Sequence, residues 1–333
     1  MTAHVLVVGA GAIGGILAAK LSRAGADVTV LDANAEHVAA MRDPGLALDE
    51  LGVDSIVPMR AVSDVAELDR TVDFALISLK APFIEPALRP LVGAQAVDTY
   101  VSCGNGLVQG KVADVVGEER MLVGIVEWGA TNLGPGRLRQ TTQAPLVLGE
   151  VDGTMSDRLI RLAGVLSMAG ETRTSANIMD QVWTKLLLNS TFSGLGAVTG
   201  GTYAEVMALP DGPDLAFALW TEGYDVAIAA GRQPTEVAGV EAERLVVRSP
   251  ADRASAVVAL AELMARLGPT KASMLQDLER GARTEIDVIN GGVVTTAEAH
   301  AVSAPLNAAV VDIVHRCEAG DLQPRAANIT AVR

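Results

Sequence analysis

The stretch His4-Val5-Leu6-Val7-Val8-Gly9-Ala10-Gly11-Ala12-Ile13-Gly14 decides the fold. An apolar, β-prone run leads straight into G-x-G-x-x-G, and the small-residue run Ala12–Arg23 that follows reads as a helix. In this setting each glycine has a physical task. Gly9 permits the tight turn, Gly11 lets the backbone approach a pyrophosphate, and Gly14 lets the helix lie close to the sheet. Ala10, Ala12 and Ile13 complete the loop. The start of the helix adds N–H groups without intrahelical partners and a partial positive charge. A glycine-rich turn with no ligand is the plain alternative in a chain of 33 glycines, but the flanking strand and helix weigh against it.

Working outward, Asp27–Leu31 is the next strand and Asp32 ends it, 18 residues after Gly14. A carboxylate there can accept both ribose hydroxyls of an adenosine and repels a 2′-phosphate. Ala33 and Asn34 offer no cation, and the nearest basic side chains downstream are His37 and Arg42. The reading is NAD(H), with NADP(H) as the alternative. Asp73–Ser78, Asp98–Ser102, Arg120–Val126 and Leu146–Gly149 continue the strands, separated mostly by helix-length sequence. Such alternation argues for a doubly wound parallel sheet. Thr131–Gln143, with Gly134-Pro135-Gly136, reads as a hairpin-like excursion. After residue 177 the pattern turns helical: Ile178–Val198, Asp214–Ala230, Ala251–Leu267, Thr284–Ala301 and Ala304–Glu318. The expected organisation is α/β: a Rossmann-type dinucleotide-binding domain over residues 1–176, then an all-α substrate and dimerisation domain over 177–333.

The 333 residues carry 26 basic against 40 acidic side chains, a net charge of −14, with no basic cluster. Nucleic acid and anionic membrane surfaces are poor partners for such a chain. No uncharged apolar run reaches the roughly 18 residues of a membrane span. The opening Met1-Thr2-Ala3-His4 lacks a basic leader and reads as the approach to a first strand, not a signal peptide. Cys103 and Cys317 are far apart and the four histidines show no ligand spacing, so the expectation is a reducing cytoplasm and no metal. Half the residues are apolar and only 3% aromatic, which predicts cores of Ala, Val, Leu and Ile and makes a homodimer plausible.

The chemistry concentrates in Val182-Trp183-Thr184-Lys185-Leu186-Leu187-Leu188-Asn189. On a helix, Lys185 and Asn189 share a face. A lysine on an apolar helix is costly unless an oxygen uses it, although snorkelling at a domain edge would also accommodate it. Lys80 and Asn105-Gly106 each follow a predicted strand, at the carboxyl ends where open α/β sheets bind ligands. Lys80 could attract a substrate carboxylate and Asn105 could contact cofactor or substrate; a surface lysine and an ordinary turn are the plain alternatives. Glu285 would open a helix starting at Thr284, where Thr284 and Asp287 suggest a capping box. It could pair with Lys185. Ser273 precedes the short helix Met274–Arg280, and a break at Gly281 could turn it toward Glu285.

These residues resemble the ketopantoate reductase (2-dehydropantoate 2-reductase) family over nearly the whole chain. The resemblance rests on Gly9–Gly14, Ser78-Leu79-Lys80, Asn105-Gly106, Trp183-x-Lys185-x-x-x-Asn189, Ser273-Met274-Leu275-Gln276-Asp277, Thr284-Glu285-Ile286-Asp287 and Ile289-Asn290-Gly291. It implies hydride transfer between nicotinamide C4 and the carbonyl carbon of a 2-oxo acid. Lys185 would match the general acid and Glu285 the carboxylate that supports it. Asn189 and Ser273 would match substrate-binding groups, and Asn105 and Lys80 residues near cofactor and substrate. Three departures stand out. Asp32 replaces a basic residue usual in NADPH users, Ser193 stands where a second pocket asparagine is expected, and Tyr203 replaces a later one. Trp128 adds a bulky aromatic nearby.

The sequence therefore predicts an NAD(H)-dependent oxidoreductase for a 2-oxo acid/2-hydroxy acid pair, with 2-dehydropantoate reduction as the default. One rival is a catabolic dehydrogenase of another 2-hydroxy acid or secondary alcohol. Others are a non-catalytic dinucleotide sensor and an opine-type reductase.

Overall fold

Alternating strands and helices fill the first half of the computed structural model, which describes residues 3–332. In chain order the strands are β1 (His4–Val8), β2 (Asp27–Leu31), β3 (Leu46–Glu50), β4 (Val53–Val57), β5 (Arg60–Val62), β6 (Val72–Ile77), β7 (Val97–Ser102), β8 (Met121–Val126), β9 (Ala130–Gly134), β10 (Arg137–Gln140), β11 (Leu146–Glu150) and β12 (Thr172–Thr174). The helices among them are α1 (Ala12–Arg23), α2 (Ala35–Arg42), α3 (Ala81–Gly93), α4 (Gln109–Val116) and α5 (Asp157–Leu166). Eight strands form the main sheet in the order β12-β11-β8-β7-β6-β1-β2-β5. Neighbours run parallel except β11 against β8.

The quoted strand β1 is buried along its whole length, as a central parallel strand covered on both faces must be. It pairs with β2 on one side and β6 on the other. The chain order therefore reverses at β1, and the glycine loop leaves its carboxyl end at that switch point, where such sheets bind ligands. The predicted excursion is the β9–β10 hairpin. It joins β3 and β4 in a second sheet, β4-β3-β10-β9, which packs on α1. Sequence reading passed over β3 and β4.

From Met179 onward the chain, together with Asn105–Leu107, makes a separate compact unit. Its helices are α6 (Ile178–Leu188), α7 (Gly194–Thr199), α8 (Tyr203–Met207), α9 (Gly212–Ala229), α10 (Pro250–Leu267), α11 (Ser273–Glu279), α12 (Asn290–Ala299) and α13 (Pro305–Glu318). The core gathers around Trp220, Phe192 and Tyr203, and the Trp220 indole N–H donates to the Ala242 carbonyl at 2.8 Å. Burying a large apolar side chain contributes on the order of 1.5–3 kcal/mol, and a satisfied N–H keeps that gain. No helix among the described residues is long and apolar enough to cross a membrane.

Three expectations are corrected here. The helix over Ile178–Val198 is interrupted by a π turn at Asn189–Ser193 between α6 and α7. The helix expected from Thr284 starts at Asn290; the residues before it form turns, and Ile289 has φ −93 and ψ −90. A two-residue hairpin, β13 (Glu236–Val237) with β14 (Val240–Glu241), adds strand pairing to the helical half.

Candidate active site

The glycine loop obeys three different constraints. Gly9 has φ +89, and a Cβ there would sit 2.5 Å from a Leu79 methyl. A Cβ on Gly14 would lie 2.1 Å from the Gly9 carbonyl oxygen, so α1 reaches the strand end only through glycine. Gly11 differs: an added Cβ meets no atom within 4 Å. Protein packing does not require glycine at Gly11; the open space lies at the N-cap of α1, which carries no side-chain cap and no acidic residue in its first turn. That suits an anion lying on the helix N-terminus.

Asp32 braces the loop from β2. Its Oδ2 accepts the Ala10 N–H at 2.7 Å and its Oδ1 accepts the Asn34 N–H at 2.8 Å. Each carboxylate oxygen keeps a second lone pair, so hydroxyl donors can still be accepted. His37, the nearest downstream basic residue, is buried. The Gly136 N–H donates to its Nδ1 at 2.7 Å, so the ring proton is on Nε2, which donates to the Ala10 carbonyl at 2.8 Å. Arg42 is committed to the Ala61 carbonyl and Glu67. Lys80 is half-buried at the N-cap of α3, after β6.

In the second unit, Lys185 and Asn105 meet. Lys185 Nζ donates to Asn105 Oδ1 at 2.9 Å, and Asn105 Nδ2 donates to Glu285 Oε2 at 3.1 Å. The amide orientation follows from charge, because the reverse would aim N–H groups at an ammonium. Asn105 is held from below. Gly106 has φ +71, a Cβ there would lie 2.4 Å from the Val288 oxygen, and the Leu107 N–H donates to that oxygen at 2.8 Å.

Glu285 is 9% exposed and sits in the turn before α12, not on a helical first turn. No helix N-terminus therefore favours its ionised form. The Asn105 amide holds the carboxylate instead, and the Val288 and Ile289 N–H groups close the turn on the Glu285 carbonyl, each at 3.1 Å. The expected capping box is replaced as well. The Thr284 hydroxyl accepts the Ile286 N–H and donates to Glu318.

Asn189 opens the π turn one helical turn after Lys185. The Ser193 hydroxyl lies 3.4 Å from Asn189 Oδ1 and 2.7 Å from the Tyr203 hydroxyl. Ser193 is 2% exposed and Tyr203 3%, so both lie behind Asn189 rather than on an open surface. Burial pushes the Tyr203 hydroxyl above its ordinary range, against a smaller opposing pull from Ser193. Asn290, quoted above only as part of a motif, is fully buried. Its Nδ2 donates to the Ser190 carbonyl at 2.9 Å and to Asn307 Oδ1 at 2.8 Å, and Asn307 in turn donates to Glu222. This anchoring of the π turn escaped sequence reading, which had no signal for the turn itself.

Ser273 is exposed and is the first residue of α11, which packs on α7 and the π turn. Trp128 belongs to the first unit, where it lines a cavity of about 320 Å³ with Leu17, Lys20 and Gln140. Thus Gly9–Gly14, Asp32 and Lys80 belong to one unit, and Asn105, Lys185, Asn189, Ser193, Ser273 and Glu285 to the other.

Comparison with known proteins adds the following. Residues 5–153 match the family model described as ketopantoate reductase PanE/ApbA, and residues 177–318 match the model for the C terminal of the same family. The chain is 29% identical to a 2-dehydropantoate 2-reductase of Mesorhizobium japonicum, over 94% of this chain and 97% of that one. It is 26% identical to one from Halobacterium salinarum, over 93% and 97%. A solved PanE/ApbA family ketopantoate reductase from Ralstonia eutropha JMP134 superposes with a TM-score of 0.79 at 25% identity, covering 95% of this chain and 99% of that one. D-mandelate dehydrogenase with NADH and anilino(oxo)acetate shares the fold at a TM-score of 0.79 and 22% identity, over 95% and 99%.

Proposed function

We propose that this chain, which belongs to the ketopantoate reductase family, is an NAD(H)-dependent oxidoreductase that interconverts a 2-oxo acid and a 2-hydroxy acid. 2-Dehydropantoate is the default substrate, as in the names of the Mesorhizobium and Halobacterium relatives. The observation that carries the reading is the hydrogen-bonded chain Lys185–Asn105–Glu285, drawn from three distant parts of the sequence.

The residues present fit a dinucleotide. The loop Gly9–Gly14 would hold the pyrophosphate over the open space at Gly11, and Asp32 would receive the ribose hydroxyls. Bound there, the nicotinamide supplies or takes back the hydride. The chain's own groups manage the proton. Lys185 donates it to the carbonyl oxygen as negative charge develops there, and recovers it in the oxidative direction. General-acid help of this kind contributes about 10²–10⁴-fold. Asn105 presents its carbonyl oxygen to the ammonium while Glu285 polarises the amide from behind, so the donor is oriented before the reaction begins. Asn189, one turn on, offers a carboxamide to a second substrate oxygen. Asp32, with His37 and Arg42 both engaged elsewhere, supports NAD(H) over NADP(H).

One observation favours a second reading for the substrate. The Ser193 and Tyr203 hydroxyls are buried against each other and offer nothing to a distal substrate hydroxyl. A 2-hydroxy acid with a more apolar side chain suits a site in which these hydroxyls are withdrawn. Assays of the purified protein with NADH, NADPH and NAD against a panel of 2-oxo and 2-hydroxy acids separate the readings, with 2-dehydropantoate included. Activity on none of them would remove both. The reading also includes a cytoplasmic homodimer, supported by the sparse cysteines and the apolar half of the composition. Sedimentation equilibrium tests the second copy.

A further inference from the structure

We propose that Tyr203 and Ser193 are positioning residues that lock the Asn189 carboxamide with its N–H side turned to the substrate. The inference rests on the reading above that Asn189 binds substrate. Ser193 has a single O–H and two neighbours, Asn189 Oδ1 at 3.4 Å and the Tyr203 oxygen at 2.7 Å. Counting donors fixes the direction. The Tyr203 O–H donates to Ser193, and the Ser193 O–H then donates to Asn189 Oδ1. The opposite direction leaves a buried tyrosine proton without Ser193 as its acceptor and leaves Asn189 unlocked, a costly state at 2–3% exposure. Burial keeps the tyrosine proton in place well into alkaline pH.

The relay needs a rigid platform, and the π turn provides it. Asn189 and Ser193 are the first and last residues of that turn. The turn is pinned on its other side, where the buried Asn290 amide holds the Ser190 carbonyl. π turns of this kind often mark functional sites. With Oδ1 claimed by Ser193, the remaining face of Asn189 is its NH₂. Lys185 lies one turn earlier, so the two side chains leave the backbone about 5–6 Å apart, Cβ to Cβ, along one face. That pair suits a substrate with two neighbouring acceptor oxygens, as a 2-oxo acid has.

Tyr203→Phe keeps the ring, which packs 5.6 Å from Phe192, and removes only the hydroxyl. Ser193→Ala removes the middle of the relay. For each variant we expect KM for the preferred 2-oxo acid to rise about three- to tenfold, the order of one neutral hydrogen bond. We expect kcat to stay within about twofold and NADH affinity and thermal midpoint to stay near the parent values, and the double variant to be no worse than either single one, because all three cut the same chain. Asn189→Ala serves as the reference. If it raises KM while Tyr203→Phe and Ser193→Ala do not, the relay is wrong and the substrate role of Asn189 stands. If Asn189→Ala leaves KM unchanged, that role fails and the relay falls with it. A fall in kcat, NADH affinity and thermal midpoint together would mark Tyr203 as merely structural and overturn the proposal.

Discussion

Glu318 takes two hydrogen bonds from Thr284, one from its backbone N–H and one from its hydroxyl, each 2.7 Å long. Glu318 is the last residue of α13, and Thr284 immediately precedes Glu285. The end of one helix thus sets the turn that carries the carboxylate toward Asn105. Removing this acceptor leaves two part-buried donors unpaired. Glu318→Ala is expected to cost about 1–3 kcal/mol in urea unfolding. It is also expected to lower kcat by about an order of magnitude by loosening Glu285, in proportion to how far preorganisation matters. A stability loss with full kcat would show that Glu285 keeps its place without this anchor.

Lys185→Ala isolates the chemistry from binding. Turnover is expected to fall by about 10²–10⁴-fold, the usual contribution of a positioned general acid. NADH binding, followed by fluorescence titration, is expected to persist, because the glycine loop and Asp32 belong to the other unit. Unchanged turnover would take Lys185 out of the mechanism and revive the dinucleotide-sensor alternative.

The parts of the fold that local pattern encodes were legible in the sequence. β1 and the glycine loop announce themselves because a buried parallel strand is continuously apolar and its exit turn needs glycine. Residues 46–57 were not legible. Their acidic residues Asp49, Glu50 and Asp54 blur any strand pattern, and β3 finds its parallel partner, β10, some ninety residues later. Glu285-Ile286-Asp287-Val288-Ile289 keeps helical spacing, yet it turns instead, because the Leu107 N–H claims the Val288 carbonyl from outside. The π turn is invisible for a similar reason. Its Ser190 carbonyl is satisfied by Asn290, a hundred residues away. Lys185, Asn189 and Glu285 could be picked out as candidates from sequence; the bridge through Asn105 and the burial of Ser193 required the folded chain.

On the proposed reading Asp32 adds ribose recognition to its bonds within the loop, so its variants separate cofactor choice from loop structure. The parent protein is expected to prefer NADH over NADPH by at least about tenfold in kcat/KM, since a carboxylate repels a 2′-phosphate. Asp32→Ala is expected to narrow that preference. It also strips the part-buried Ala10 N–H of its acceptor, costing about 1–3 kcal/mol, while the exposed Asn34 N–H is left to water. Asp32→Asn retains an acceptor oxygen and is expected to recover part of the stability while leaving the preference narrowed. A parent enzyme that strongly favours NADPH would sink the assignment.

Glu150, at the end of β11, gives the first unit a defined acid sensitivity. Burial alone pushes its carboxyl up. Hydrogen bonds from Arg158 and Ser156, with the Arg158 charge, outweigh that and hold it below the ordinary value of 4.5. Arg158 grips both oxygens, Nε to Oε1 at 2.8 Å and a terminal nitrogen to Oε2 at 2.6 Å, and also donates to the Glu119 carbonyl. A carboxyl lowered in the folded state releases its proton more readily there than in the unfolded chain. Its contribution is therefore complete above the unfolded value and is lost as pH falls through the folded one. Glu150→Gln is expected to be less stable than the parent at pH 7. The gap is expected to shrink as pH drops below 4.5 and to vanish once the parent carboxyl is protonated. Urea unfolding of both proteins across that range measures it. A gap that stays constant down to pH 2.5 would mean that Glu150 acts through shape rather than charge, and that the Arg158 contact contributes no pH dependence.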